Sequence, residues 1–208
     1  MGDSKLQQIR GNSMESLQDF GVLDNIKDTL YLFFGMALGY AFWEFCERYA
    51  REQILYVNPI LFVIMLVWGA SGFFFLPYSQ DLIIQLLCYA IPDWDIPLSM
   101  GRQSDLFQHR SWLFSSILIP LILLGIAILS AVFRLRLVLS SLRNIAIGLL
   151  VGISAHLLGD LLLQWIPIGD TDIKIYELDS LHSRVWLFLN LVFGLVLPFS
   201  VIRIQKIR

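Results

Sequence analysis

The sequence predicts an all-helical bundle that crosses a membrane several times, and three observations lead to this fold class. Hydrophobic residues make up 57% of the 208 residues and charged residues 15%, whereas soluble domains average about 45–50% and about 25%. The apolar residues are concentrated in runs near the roughly 20 residues that a helix needs to cross the hydrocarbon core. Short polar or basic connections separate these runs, so we expect one bundle of four to five spans.

The N-terminal segment, 1–28, is polar and of mixed charge. It lacks the basic start, short apolar run and small-residue cleavage site of a signal peptide. A weak apolar stripe is compatible with a helix that lies on the membrane surface, and a disordered tail is equally compatible. We therefore divide the chain into this segment and a single transmembrane bundle, 29–208.

Five apolar runs are predicted to be membrane-embedded helices. In chain order they are 29–45, 59–77, 112–133, 144–168 and 185–202. The interval 81–91 is too short for a comfortable span, which indicates a re-entrant or interfacial helix, although a tilted span that begins before Tyr78 stays open. The Asn58-Pro59 pair is expected to break the chain before the second span.

Basic residues predict the orientation of the bundle. They cluster in the connection 134–143 and in the tail 203–208, and short loops rich in Lys and Arg remain on the cytoplasmic side. The site loop, 92–111, and the connection 169–184 then lie on the opposite, non-cytoplasmic side. All three histidines fall toward that side, namely His109, His156 and His182.

The loop 92–111 carries the first group of candidate functional residues. Asp93 and Asp95 lie two residues apart between prolines, so one carboxylate could bind a metal ion while the other orients a histidine. His109 and Arg110 add a nitrogen ligand and a cation suited to phosphate or carboxylate. An aspartate-rich turn and an interfacial His-Arg pair are the ordinary alternatives for these two motifs.

A second group lies inside an apolar run. His156 and Asp160 are four residues apart, so both can face one metal ion from the same side of a helix. They continue a stripe from Gly148 and Gly152, which allow another helix to come close. Because an Asp in a membrane helix costs roughly 2.5–3.5 kcal/mol on insertion scales, we favour a functional site over a packing contact. A mixed nitrogen and oxygen set suits a divalent metal, with zinc favoured.

In order and spacing, these motifs resemble the YdjM-type inner-membrane metal-dependent hydrolases. The resemblance covers 91–161 and rests on PDWDIP, Ser99, Gly101-Arg102, His109-Arg110, Ser115 and SAHLLGD. It implies a metal site formed by Asp93, Asp95, His109, His156 and Asp160. Four positions depart from the family pattern. Ile96 and Phe114 stand where the family has histidines, Ser111 where it has glycine and Leu113 where it has threonine, so two potential ligands are missing.

His182 is the remaining histidine that could replace a missing ligand. Together with His109 and His156, or with Asp160 in place of one of them, it would provide three protein ligands and leave one open position on zinc. The alternative is an interfacial histidine that caps the start of the last helix beside Asp179.

The resemblance implies metal-assisted hydrolysis. The location of the site at the non-cytoplasmic face indicates a lipid or lipid-linked substrate. Asp95 or Asp160 would act as general base, and Arg102 or Arg110 would hold an anionic group. The implied location is the cell membrane, or the inner membrane if the cell is Gram-negative.

Two other function classes stay open. One is a non-catalytic membrane protein whose polar seam serves helix packing or recruits a partner. The other, a transporter, is less favoured because the sequence has neither an internal repeat nor paired half-helices. Nucleic-acid binding is not expected, because no basic face accompanies the net charge of −2. Cys46 and Cys88 lack ligand spacing, and association into a homo-oligomer stays open.

Overall fold

The computed structural model describes residues 3–77, 79–99, 111–133, 136–163, 175 and 178–203. Within these ranges every regular element is helical, which confirms the all-helical fold class. The elements are α1 (Asp3–Tyr49), α2 (Arg51–Ile54), α3 (Pro59–Ala70), α4 (Leu82–Cys88), a 3₁₀ turn (Ile91–Asp93), α5 (Asp95–Ser99), α6 (Leu118–Val132), α7 (Arg136–Leu163) and α8 (Ser180–Arg203).

Within the described residues, three segments are long and apolar enough to cross a membrane. They are Ile26–Tyr49 in α1, Leu139–Leu163 in α7 and Ser180–Ile202 in α8. The apolar helices α3 and α6 are shorter. The 12 residues of α3 extend about 18 Å, which is less than the roughly 30 Å hydrocarbon core. The structure therefore supports a membrane protein with three candidate spanning helices. Among the described residues, no further helix is long enough to raise the number of spans to four or five.

Helix α7 lies at the centre of the bundle, where it packs against α1, α3, α6 and α8. Of its apolar segment, 72% is buried, compared with 28% and 33% for the segments in α1 and α8. The outer helices instead expose large apolar side chains, such as Phe33 and Tyr40 on α1 and Phe188 on α8. This distribution is what a bilayer requires of helices that contact lipid.

Glycines set the distance between α7 and α3. A Cβ atom added at Gly152 would collide with the carbonyl oxygen of Leu66, and one at Gly148 would lie 2.8 Å from the carbonyl oxygen of Phe62. The two helices therefore meet backbone to backbone, as the glycine stripe predicts. This contact places the end of α3 beside the middle of α7.

The end of α3 differs from the prediction, which continued the helix to residue 77. The helix stops at Ala70, and Gly72 adopts a left-handed conformation with φ of 65°. Phe73 N then donates a hydrogen bond to the carbonyl oxygen of Leu87, at 2.9 Å. A residue with a side chain rarely adopts this φ, so Gly72 turns the chain back against the end of α4.

Other boundaries differ as well. α6 begins at Leu118 rather than at residue 112, because the Ser116 hydroxyl accepts a hydrogen bond from Leu118 N and donates one to the carbonyl of Leu113. These local side-chain bonds compete with the helix. The predicted loop 134–143 is also wrong over most of its length, since α7 already begins at Arg136.

The structure also gives the conformation of two intervals that the sequence left open. α1 runs without a break from Asp3, so the backbone of the N-terminal segment is helical from that residue on. α4 contains 7 residues, and residues 71–77 and 79–81 before it are not helical. A tilted helical span over this interval is therefore wrong, and the short helix remains.

Candidate polar site

His156 is the centre of a buried polar cluster on α7. Its side chain is 3% exposed, and Nε2 lies 3.6 Å from Asp93 Oδ2 and 3.8 Å from Asp160 Oδ2. Asp160 comes from the next turn of α7, whereas Asp93 ends the 3₁₀ turn before α5. The structure thus brings the PDWD and SAHLLGD motifs together. We call Tyr31, Asp93, His156 and Asp160 the His156 cluster.

The other ring nitrogen of His156 is fixed by the backbone of α3. Nδ1 lies 2.8 Å from the carbonyl oxygen of Ala70, and because a carbonyl only accepts, Nδ1 carries a proton. Ala70 is the last residue of α3, so its carbonyl has no partner inside the helix. The bond orients the imidazole ring with Nε2 toward the two carboxylates. Metal-binding histidines are commonly oriented in this way, by an N–H donated to a carbonyl.

Tyr31 of α1 completes the cluster from a third helix. Its hydroxyl donates a hydrogen bond of 2.8 Å to Asp160 Oδ1, and its ring lies 4.3 Å from the His156 ring, centroid to centroid. Gly159 makes room for the tyrosine, because a Cβ atom there would collide with the Tyr31 ring. Sequence reasoning missed Tyr31, although the glycine directly before Asp160 was a signal that a bulky group passes close by.

The PDWD turn is held in place by two tryptophans. Trp94 Nε1 and Trp68 Nε1 both donate to the carbonyl oxygen of Leu86, at 2.8 and 3.1 Å. Their rings lie 5.4 Å apart. These contacts fix the turn against α3 and α4, and so place Asp93 beside α7. Asp95, the other carboxylate of the motif, is fully buried at the start of α5.

Negative charge surrounds the His156 ring. Asp93, Asp160 and Asp28 of α1 all act on it electrostatically. A buried imidazole among carboxylates suits either a proton shared on Nε2 or a cation bound between Nε2 and the carboxylate oxygens. In both states the proton stays on Nδ1, which donates a hydrogen bond to the Ala70 carbonyl.

His182 does not join this cluster. Its side chain is 69% exposed, and both its backbone N–H and its Nδ1 donate to Asp179 Oδ1, at 2.8 and 2.7 Å. The backbone bond, followed by the ring bond, holds the pKa of Asp179 below its usual value. Asp179 is therefore the residue that caps the start of α8, and His182 donates to it, whereas the sequence alternative had His182 as the capping residue.

A ready metal site is not found in the described part of the chain, where no three His, Cys, Asp or Glu side chains form a group that could hold an ion. Nε2 nevertheless lies only 3.6 and 3.8 Å from the two carboxylate oxygens. Two ligand atoms of a tetrahedral zinc ion are about 3.3–3.4 Å apart, which is a few tenths of an ångström less. An imidazole nitrogen and carboxylate oxygens are donor atoms that zinc binds in proteins. His109, Arg102 and Arg110 lie outside the described residues.

No family model matches the chain, and comparisons with curated proteins and with solved structures give no match. The class of protein therefore rests on the fold and the site. The described residues form helices, three of them long and apolar enough to span a membrane, with a buried histidine–carboxylate cluster at the central helix. The resemblance to the YdjM-type hydrolases stays a prediction.

Proposed function

We propose that the protein is a membrane-embedded, metal-dependent hydrolase that acts on a lipid or lipid-linked substrate at the non-cytoplasmic face. One observation carries the proposal. Nε2 of His156 faces carboxylates from two separate motifs, while Nδ1 is fixed by a backbone carbonyl. The contact with Ala70 satisfies Nδ1 only, and the two carboxylates lie at the other nitrogen, the one through which a metal ion would bind.

Asp93, His156 and Asp160 would hold the ion, with zinc favoured and His109 as a further ligand. When bound, such an ion lowers the pKa of its water toward about 7 and polarises the scissile phosphoryl or carbonyl oxygen. The chain supplies the orientation. Ala70 directs the imidazole, and Tyr31 engages one oxygen of Asp160 so that the other faces Nε2.

Proton transfer and substrate binding complete the proposed mechanism. Asp95 or Asp160 is the general base, and Arg102 or Arg110 holds the anionic part of the substrate. Burial of His156 and Asp95 keeps bulk water away from these groups, which strengthens their electrostatic interactions. A buried cluster on a helix that is long and apolar enough to cross a membrane suits a substrate that is itself dissolved in the bilayer.

The second candidate is a non-catalytic function in which the same histidine joins two helices. The bond from His156 to Ala70 continues the line of close contact that Gly148 and Gly152 form with α3. On this alternative, the carboxylates keep a proton on Nε2, and the cluster fixes the packing of α1, α3 and α7. A partner or a packing function would then need no metal.

Metal content separates the two candidates. The purified chain in detergent is dialysed against zinc or manganese, and bound metal is measured by mass spectrometry. We expect about one ion per chain, with affinity about 10–100-fold lower in Asp93→Asn and Asp160→Asn. Asp179→Asn is the matched control, because an exposed asparagine still caps α8.

Hydrolysis is then tested with the metal-loaded chain and phosphatidic acid in mixed micelles, followed by release of phosphate or fatty acid. Release that disappears in both cluster variants supports the enzyme. A wild-type chain that binds no metal, or variants that bind it as well as the control does, would leave only the packing function.

A further inference from the structure

The chain that follows α3 leaves the end of that helix and comes back to it. α3 ends at Ala70, whose carbonyl oxygen lies 2.8 Å from His156 Nδ1. A few residues further on, Phe73 N donates a hydrogen bond of 2.9 Å to the carbonyl oxygen of Leu87, near the end of α4. The ends of the two helices therefore lie side by side. We call the described residues between them, 71–77 and 79–88, the α4 segment.

The end of α3 lies well inside the membrane if α7 crosses the bilayer. His156, which contacts this end, belongs to the apolar segment Leu139–Leu163, and the residues from His156 to Leu163 extend about 10 Å along the helix. The α4 segment therefore begins and ends about that far below the membrane boundary. At this depth, lipid acyl chains surround a membrane protein.

The exposed surface of the α4 segment is apolar. Ile83 is 70% exposed, and Leu82 and Ile84 beside it are exposed as well. Asp81 is the only charged residue in the interval 53–92, and it lies at the start of α4, whose 7 residues extend about 10 Å. That length is enough to bring the carboxylate to the membrane boundary. A row of large exposed apolar side chains marks a contact with a membrane or with another protein, and the depth of this segment favours the membrane.

The polar backbone groups near the end of α4 are bonded within the protein. The last carbonyl groups of a helix have no partner inside it. The carbonyl oxygen of Leu86 accepts hydrogen bonds from the indole N–H groups of Trp68 and Trp94, at 3.1 and 2.8 Å. The non-helical residues next to α3, Ser71 and Gly72, are buried. Non-helical backbone is tolerated at membrane depth where the protein buries it in this way, because no water is present to bond its polar groups.

We propose that the α4 segment is a re-entrant element in the half of the bilayer that contains the His156 cluster, and that lipid acyl chains cover its exposed apolar side chains. Leu82, Ile83 and Ile84 form the surface that these chains contact. Trp94 follows Asp93 directly and is bonded to α4, so the surface lies beside the turn that supplies Asp93 to the cluster. The proposal depends on the location of α7 in the membrane and not on catalysis, so failure of the hydrolase leaves it intact.

Spin labels on single cysteines test which medium surrounds this surface. The full chain without Cys46 and Cys88 is placed in phosphatidylcholine vesicles and carries the label at Ile83→Cys. Molecular oxygen concentrates in the hydrocarbon and a nickel chelate stays in water, and power saturation measures the collision of each with the label. We expect the label at Ile83→Cys to be several-fold more accessible to oxygen than to the nickel chelate.

Two positions on α8 provide matched references. Phe193 is 53% exposed in the middle of an apolar segment, so a label at Phe193→Cys reports a position that faces lipid. Leu181 is 68% exposed in the first turn of α8, so a label at Leu181→Cys reports a position that water reaches. A label at Ile84→Cys repeats the measurement on the same surface, which keeps the test valid if Ile83→Cys fails to fold.

The relative accessibility to the two reagents decides the outcome. Values on α4 that match those at Phe193→Cys support the proposal. Access of the nickel chelate comparable to that at Leu181→Cys would overturn it, because the surface would then lie in water. Low accessibility to both reagents would overturn it as well, since a second copy or another protein, and not lipid, would then cover α4.

Discussion

At the scale of single residues, the two nitrogens of His156 are assigned different partners by the fold. Nδ1 is committed to the Ala70 carbonyl, and Nε2 faces Asp93 and Asp160. The ring cannot rotate without leaving the last carbonyl of α3 unpaired, which is unfavourable in a buried place. The tautomer of His156 therefore follows from where α3 ends.

The substitution Tyr31→Phe tests how much one hydroxyl group contributes to the His156 cluster. The change removes the hydroxyl that donates to Asp160 Oδ1 and keeps the ring over Gly159. Because residues that orient metal ligands typically contribute about 10–100-fold in affinity, we expect zinc binding to weaken by about tenfold. Zinc titration followed by calorimetry measures the effect. Tyr40→Phe, on the same helix but 71% exposed, serves as control, and equal affinities in the two variants would contradict a positioning function for Tyr31.

Asp179 gives a prediction about pH. Its pKa is lowered in the folded state by the hydrogen bonds from His182, so it stabilises the fold above the unfolded pKa of about 3.9. That contribution is lost as pH falls through the folded pKa. The unfolding temperature of Asp179→Ala should therefore lie below that of wild type at pH 7, and the two should converge in acid. A difference that stays constant from neutral to acid pH would show that the carboxylate charge is not involved.

At the scale of elements, the contact between α3 and α7 depends on glycine. Backbone atoms occupy the space where a side chain at Gly152 would lie. The same close approach lets the end of α3 reach His156, so helix packing and the site depend on one another. α3 can be short because Gly72 turns the chain toward α4 as soon as this contact has been made.

Gly152→Ala is expected to separate these helices. The added methyl group collides with the Leu66 carbonyl, and overpacking of this kind typically costs about 1–3 kcal/mol. Thermal or denaturant unfolding in detergent measures the loss. Gly125→Ala on α6 is the matched control, because nothing lies within 4 Å of a Cβ atom there. Similar stabilities for the two variants would mean that α3 can move away from α7 without cost.

At the scale of the whole molecule, the buried central helix carries two buried polar side chains, His156 and Arg143. They lie about 20 Å apart along the axis of α7. If α7 crosses the bilayer, the two residues lie toward opposite membrane boundaries. The direction in which α7 crosses then decides which compartment the proposed hydrolase serves.

The orientation is tested by cysteine labelling in a background without Cys46 and Cys88. A cysteine at position 138 is expected on the cytoplasmic side, because basic residues concentrate at that end of α7. A membrane-impermeant thiol reagent should therefore label it only after permeabilisation. Leu181→Cys, at an exposed position in the first turn of α8, should react in intact cells. Labelling of position 138 in intact cells would place this position outside the cell and contradict the predicted orientation.

The sequence by itself determined the helical membrane fold and named most of the described cluster. Composition and run length are local properties, so they identify helices that a bilayer accepts. The pairing of His156 with Asp160 was readable because a spacing of four places both side chains on one face. The contact between His182 and Asp179 was readable for the same reason, since Asp179 lies three residues away.

Only the tertiary structure decided which distant groups meet. Tyr31 and the Ala70 carbonyl reach His156 because glycines on α7 let α1 and α3 approach at those points. The ends of α3 and α6 were mispredicted because hydrophobicity continues past Gly72 and before Leu118, while hydrogen bonds there favour turns. Such contacts depend on distances between helices, and these distances are not encoded in the periodicity of any single segment.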